Sequence, residues 1–267
     1  MKKHHIEKKY LSIAGFTIEC VFYETQYQQV RNLFLSQFKK IYGRLTFLES
    51  SKSDFRINII DNSGMINVKL KDMNFIEYYQ VKKNNLSEIS TFYSISIFQF
   101  SHLVKFILFE LLKGNGFYLH GATIIIEKQA VLLLGDSGIG KSTTVSLLRH
   151  NSLPFTDDLI VIRKIKKSFY CFQSHFIDKQ VWIKKQPQGY PIKTVFFLKQ
   201  ANNTYTRKIS SLTSQEEILK HLVSDKDTYY DFAKIVLNFI QSINNRSWYL
   251  FSNKNEEKLF VKIKELI

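Results

Sequence analysis

Cysteine is almost absent: Cys20 and Cys171 are the only two in 267 residues. They lie too far apart in sequence to imply a disulfide framework or a zinc site, so a reducing cytoplasm is the expected location. Three prolines and ten glycines are too few for a disordered tail, and 45% hydrophobic residues imply a compact globular chain, long enough to bury a substantial core. No long apolar run is present. The most apolar window, Ser94 to Leu112, is interrupted by His102, Lys105 and Glu110, which favours a buried amphipathic helix over a membrane span. The basic start MKKHHIEKKY leads into an alternating segment, so no secretory signal is expected. Acidic residues are in short supply, 23 against 38 basic ones, leaving a net charge of +15. The excess is scattered lysine without an arginine-rich arm, which fits a solvated surface around an anion site better than a nucleic-acid interface.

What the chain does hold is AVLLLGDSGIGKSTT, Ala130 to Thr144. From Gly135 to Ser142 it reads G-x-x-x-x-G-K-[ST], a phosphate-binding loop. Glycines let the backbone turn so that several N–H groups face one point, and Lys141 and a helix N-terminus add positive charge. The context agrees, with an apolar strand, Val131 to Leu134, before the loop and a helix from Lys141 to Arg149 after it.

Around this loop, Tyr10 to Tyr23 reads as strand, turn and strand, and Glu24 to Tyr42 as a helix burying Val30, Leu33, Phe34 and Phe38. Arg56 to Ile60 and Met65 to Leu70 flank Asp61-Asn62-Ser63-Gly64 and predict a hairpin. After a helix over Ser94 to Leu112, Lys113-Gly114-Asn115-Gly116 is a stop signal. Phe117 to Ile126 reads as one strand carrying His120, paired with the strand that feeds the loop. Leu159 to Arg163 and Phe169 to Phe172 predict another hairpin, and Ile192 to Leu198 a strong strand. Thr213 and Glu216 suit a capping box for a helix to about Val223. A helix over Asp227 to Ile243, a strand over Trp248 to Phe251 and a helix over Glu256 to Ile267 complete the chain. The first hundred residues carry no chemical constellation and read as a packing or substrate-docking layer, with the catalytic region over 101–267.

Two further features bear on chemistry. Asp157-Asp158 follows Lys141 by only sixteen residues, a short return that would set a carboxylate opposite the loop. Such a carboxylate can accept a hydroxyl proton or hold magnesium. His120 precedes Lys141 by twenty-one residues.

Together LHGATIII, LLLGDSGIGKST and FTDDLIVI resemble the catalytic domain of HPr kinase/phosphorylase and its smaller kinase-like relatives, over about His120 to Arg163. The resemblance implies a mixed-sheet α/β fold, a PEP-carboxykinase-like, HPr-kinase-like P-loop core; the first hundred residues do not resemble that enzyme's N-terminal domain and read from their own pattern as an N-terminal α+β layer. It implies ATP and Mg2+, and transfer of a phosphoryl group to a serine hydroxyl of a peptide or protein. Short relatives include kinases of ribosomally made, lasso-type precursor peptides. Carried over, Asp157 is the base for the attacking serine, Asp158 supports the metal or orients His120, and His120 helps position the acidic pair. Gly135, Asp136, Ser137, Gly138, Ile139, Gly140, Lys141, Ser142 and Thr143 form the nucleotide loop, with Ser142 as metal ligand. The chain departs from the full enzyme in lacking its arginine- and glycine-rich second signature. The phosphorolysis reaction, the HPr substrate and the oligomeric state therefore stay open, a homo-oligomer included. Arg163, Arg207 and Arg246 are candidate phosphate contacts. A small-molecule kinase, a nucleotide hydrolase and a nucleotide-binding regulator without turnover share the same cradle.

Overall fold

A computed structural model of the chain describes residues 6–47, 50, 52–61, 75–76, 81–176, 180–223, 229–252 and 256–267. The fold is mixed α/β with mixed sheets, in two compact units: Met1–Leu111 with Lys185–Pro187, and Leu112–Lys184 with Gln188–Ile267.

In the first unit, β1 (Glu7–Ile13) and β2 (Phe16–Phe22) form an antiparallel hairpin across Ala14-Gly15. Helix α1 (Gln28–Tyr42) buries Phe34, Phe38 and Tyr42. Phe38 meets Phe22 edge-on at 5.3 Å, so the aromatic stripe of the helix lies on the sheet. Next come β3 (Thr46–Phe47), β4 (Phe55–Ile60), β5 (Phe75–Ile76), β6 (Val81–Asn85) and β7 (Glu88–Phe92). They complete a seven-stranded sheet in the order β3-β1-β2-β4-β7-β6-β5. The predicted hairpin partner Met65 to Leu70 lies outside the described residues; β4 pairs in parallel with β2 and β7. Helix α2 (Ile97–Leu112) starts three residues later than expected because Ser96 and Gln99 form a reciprocal cap. The Gln99 N–H donates to Ser96 Oγ at 3.1 Å, and the Ser96 N–H to Gln99 Oε1 at 3.2 Å.

The second unit begins with β8 (Gly116–His120), β9 (Ala122–Ile126) and β10 (Gln129–Leu134). Helix α3 (Lys141–Leu147) passes into a 3-10 turn, Leu148–His150, and on to β11 (Leu153–Thr156), β12 (Leu159–Ile165) and β13 (Ser168–Gln173). The long strand β14 (Tyr190–Gln200), β15 (Tyr205–Lys208), α4 (Ser211–Lys220) and β16 (Leu222–Val223) follow. Last are α5 (Tyr229–Ser242), β17 (Ser247–Ser252) and α6 (Glu256–Lys264). The strands join in the order β11-β9-β10-β14-β13-β12-β8-β16, while β17 and β15 extend the sheet from β14. Strands β10, β14 and β17 run parallel.

Alternate residues of these strands feed two helix layers, because successive side chains of a strand point to opposite faces. Val131, Leu133, Phe196 and Leu198 pack with Val145 and Leu148 near α3 and with Leu259 and Ile263 of α6. Phe239 of α5 packs edge-on against Phe117 at 5.4 Å and Phe169 at 5.2 Å. All three phenylalanines are nearly or fully buried, each contributing about 1.5–3 kcal/mol of transfer free energy.

Helix α4 begins one turn before the predicted capping box. Its N-cap is Ser210, whose Oγ accepts the Thr213 N–H at 3.1 Å, so Thr213 is a donor in the first turn and Glu216 caps nothing. The helix stops at Lys220, and Leu222–Val223 pairs with β8 as a short strand instead of continuing the helix. Among the described residues no helix is long and apolar enough to cross a membrane.

Candidate functional site

Strand β10 is a fully buried run, Ala130 to Leu134, that ends at Gly135. The chain then opens to solvent at Asp136, Ser137 and Gly138, with Ile139 and Gly140 half-buried. Gly138 and Gly140 have φ of +79° and +111°, left-handed conformations that let the loop fold back on itself into the helix start. Two backbone bonds close it: the Ile139 N–H to Asp136 O at 3.3 Å and the Thr144 N–H to Gly140 O at 2.8 Å. Lys141 is buried, and its ammonium donates to the carbonyls of Gly135 at 2.7 Å and Asp136 at 3.0 Å. Its charge is thereby parked at the mouth of the loop. Ser142 is half-buried and Thr143 exposed beside it.

The acidic pair reaches the same end of the sheet. Thr123 of β9 lies opposite Leu132 of β10 on one side and Thr156 of β11 on the other, antiparallel to both. Strands β10 and β11 therefore run the same way with one strand between them, about 10 Å apart at ordinary strand spacing. Gly135 and Asp157 leave the sheet at the same end, β11 stopping level with Leu132 and β10 running two residues further to Leu134. The Thr156 hydroxyl donates to Leu159 O at 3.2 Å and ties the turn that presents the two aspartates.

Those aspartates differ. Asp157 is 1% exposed, and its Oδ2 accepts the Gln180 N–H at 3.0 Å. The Asp158 side chain is 40% exposed, with Oδ1 3.4 Å from His120 Nε2, while its carbonyl accepts the Gly121 N–H at 3.0 Å. The buried carboxylate accepts a backbone N–H and the open one faces an imidazole.

His120 does not lie on the strand beside the loop strand, as the sequence reading expected. The run Phe117 to Ile126 breaks at Gly121 into β8 and β9: His120 ends β8 opposite Leu159 of β12, and only β9 pairs with β10. The cause is packing. A Cβ on residue 121 would stand 2.5 Å from Leu134 Cδ2, 3.0 Å from Ile160 Cδ1 and 3.1 Å from Leu133 O, so only glycine lets the chain cross there. The break brings His120 to Asp158 from the far side of the turn.

One residue of the site escaped the sequence reading. His221 follows α4, and its carbonyl accepts the His120 N–H at 2.8 Å. Burial first, then the charge of Lys141, holds its ring below the usual histidine pKa of 6.5; His120 lowers it further, while Glu217 and Asp136 oppose. The pairing of β16 with β8 brings it here, and a two-residue strand leaves no periodicity to read.

Of the three candidate arginines, the structure places one at the loop end. Leu134, Phe197 and Tyr249 stand level across β10, β14 and β17, and Arg207 lies opposite Tyr249 on β15. Its guanidinium sits 5.3 Å from the Tyr249 ring centroid and 5.5 Å from that of Phe251. Glu217 of α4 fastens the same end, accepting from Tyr249 Oη at 3.2 Å and Lys220 Nζ at 3.3 Å. Arg163 lies opposite Gly116, four residues along β12 from Leu159 and thus about 13 Å away. Arg246 is spent on the carbonyls of Ile192 and Ser242, at the opposite end of β14.

Among the described residues no three His, Cys, Asp or Glu side chains cluster as metal ligands. Side-chain oxygens on the loop and on the acidic turn, those of Ser142 and Asp158 among them, are of the kind that could hold a hard cation. Such a set suits magnesium, which binds through one or two protein oxygens and otherwise through phosphates and water.

A family model described as "SynChlorMet cassette protein ScmC" matches residues 87–253. The HPr kinase/phosphorylase of Lachnoclostridium phytofermentans is 25% identical over 130 residues, 48% of this chain and 39% of that protein. The chain thus spans well under half the length of that curated relative. The solved Hpr(Ser) kinase/phosphatase from Coxiella burnetii matches with a TM-score of 0.35 and 12% identity, over 55% of this chain and 94% of that one.

Proposed function

The chain belongs to the SynChlorMet cassette protein ScmC family, and from that premise we propose that it is an HPr-kinase-like phosphotransferase, moving the γ-phosphoryl group of ATP to a serine hydroxyl of a peptide or protein. The observation that carries this reading is the common exit of Gly135 and Asp157 from the sheet, one strand apart, with Lys141 parked between the loop's own carbonyls.

On this reading the backbone amides of the loop hold the triphosphate and Lys141 swings from its carbonyl partners onto phosphate oxygens. That exchange replaces neutral acceptors by charged ones and adds ion-pair attraction to hydrogen bonds that the ammonium already makes. Asp157 accepts the proton of the attacking serine hydroxyl. Its burial suits a base that is shielded from water until an acceptor enters, and the Gln180 N–H helps to fix the carboxylate in place. Asp158 and Ser142 hold magnesium, which when bound neutralises charge on the phosphates. His120 orients Asp158 through their 3.4 Å contact. Little covalent chemistry is asked of the protein, since phosphoryl transfer depends mainly on in-line positioning and cations.

The acceptor class includes ribosomally made precursor peptides, lasso-type ones among them. The excess of lysine favours an acidic acceptor segment through long-range attraction. The test is a mass-spectrometric assay of the protein with Mg2+ and ATP against serine peptides, free hydroxyl compounds and water. Phosphoserine on a peptide supports the reading. Phosphorylation of small hydroxyl compounds alone, or release of inorganic phosphate alone, would replace it with the small-molecule kinase or hydrolase alternative.

A further inference from the structure

His221 is an imidazole joined to His120 through the backbone, and the phosphotransfer reading gives it no role. It is 5% exposed, and its Nε2 has no hydrogen-bond partner among the described residues. A buried ring nitrogen left unpaired costs about 1–3 kcal/mol, and buried polar atoms in folded proteins are normally satisfied. The groups whose charges reach this ring come from three directions: Lys141 and Asp136 on the phosphate loop, His120 at the end of β8, and Glu217 on α4. The ring therefore lies within electrostatic reach of the loop, and its backbone is fixed by the 2.8 Å bond from the His120 N–H.

We infer that His221 donates its Nε2–H to the phosphate chain of the bound nucleoside triphosphate, at the part of the chain that Lys141 also holds. The inference rests on the phosphotransferase reading and adds a phosphate contact to it. A neutral imidazole suits the position. It offers one N–H to an anion without adding a second positive charge beside Lys141, and a hydrogen bond to a charged acceptor repays the cost of keeping the donor buried. The tautomer follows from the partner, as the phosphate accepts and the proton must sit on Nε2. His221 would then hold phosphate in place while His120, through Asp158, holds the carboxylate side of the site.

The test uses the full chain, histidine-labelled with 15N, titrated with Mg2+ and inorganic tripolyphosphate and then with Mg2+ and a non-hydrolysable ATP analogue. The His221 Nε2 resonance is expected to move with each ligand. Calorimetry is expected to show tripolyphosphate binding weakened about tenfold in H221A, the loss of one hydrogen bond to a charged group. H221Q, whose carboxamide N–H reaches the place of Nε2, is expected to recover most of it, and H221N, whose amide mimics Nδ1, is not. A structural role alone would distinguish neither ligand nor amide length. Wild-type binding with an unmoved Nε2 resonance, or equal binding by folded H221A, would overturn this inference and leave the phosphotransferase reading standing. Failure of the wild type to bind either ligand would overturn both. If H221A does not fold, the wild-type resonance and the contrast between H221Q and H221N decide.

Discussion

Gly121 is the point where a single methyl group would reach both halves of the site. Its neighbours on one side are Leu133 and Leu134, the last residues before the phosphate loop, and on the other Ile160, two residues past Asp158. In Gly121→Ala the new Cβ meets Leu134 Cδ2 at 2.5 Å, a distance that real contacts do not tolerate, and Leu133 O at 3.1 Å, which is backbone and cannot rotate away. Leu133, Leu134 and Ile160 are all fully buried, so no side chain has free space to move into. Overpacking of this kind costs about 1–3 kcal/mol. For a unit of this size each kcal/mol lowers Tm by about 2–4 °C, so the expected fall is about 2–12 °C. The larger effect is on function. Strands β9 and β10 must part slightly, and the bond from the Gly121 N–H to Asp158 O lengthens with them, pulling the aspartate turn away from the loop. Phosphoryl transfer is measured well below the lowered Tm, where the variant is folded by circular dichroism; it is expected to drop at least tenfold, about 1.4 kcal/mol of barrier. A variant with the wild-type Tm and wild-type transfer rate would refute the claim that packing at residue 121 sets the distance between the two motifs.

Further predictions concern other levels of the structure. Lys141→Met keeps the buried length of the side chain but removes the ammonium held by the Gly135 and Asp136 carbonyls; ATP affinity by calorimetry should fall at least about tenfold while the far-ultraviolet circular dichroism stays native. Ser210→Ala removes the side-chain cap of α4, costing about 1 kcal/mol and about 2–4 °C in Tm, with the rate of phosphoryl transfer unchanged. The depressed pKa of His221 makes a signed prediction: the unfolded chain takes up the proton at its ordinary value of 6.5 while the folded ring resists it. Stability contributed by the neutral ring is therefore present above that pH and is lost as pH falls below it. Urea midpoints between pH 8 and 5 should decline more steeply for the wild type than for His221→Gln, and equal slopes would contradict this assignment.

Local features of the fold were legible because their signals are local. The hairpin across Ala14-Gly15, the helix over Phe34 and Phe38, and the strand-loop-helix from Val131 through Lys141 each carry their pattern within about fifteen residues. The candidate site was legible only as three motifs within forty residues of one another, His120 to Asp158. What stayed hidden depends on pairing between distant segments. Gly121 looked like an interior strand residue, and its role as a crossing point needs Ile160 and Leu134 on either side at once. The neighbour relation of β10, β14 and β17 joins segments more than fifty residues apart, and nothing in Val195 or Leu250 names its partner. His221 entered the site through a two-residue strand, and Ser210 took the cap from Thr213 because both spacings suit a helix start and only the backbone chooses between them.

The central claim is that the buried carboxylate of Asp157 faces a triphosphate held by the Gly135 loop and takes the acceptor's proton. Its most direct test is the rate of serine-peptide phosphorylation by wild type and Asp157→Asn, read by mass spectrometry at saturating Mg2+ and ATP. The substitution keeps the size of the side chain and an oxygen for the Gln180 N–H, so the fold and ATP affinity are expected to persist. The rate is predicted to fall by about 10²–10⁴. Phosphoserine formed by Asp157→Asn at the wild-type rate would contradict the account.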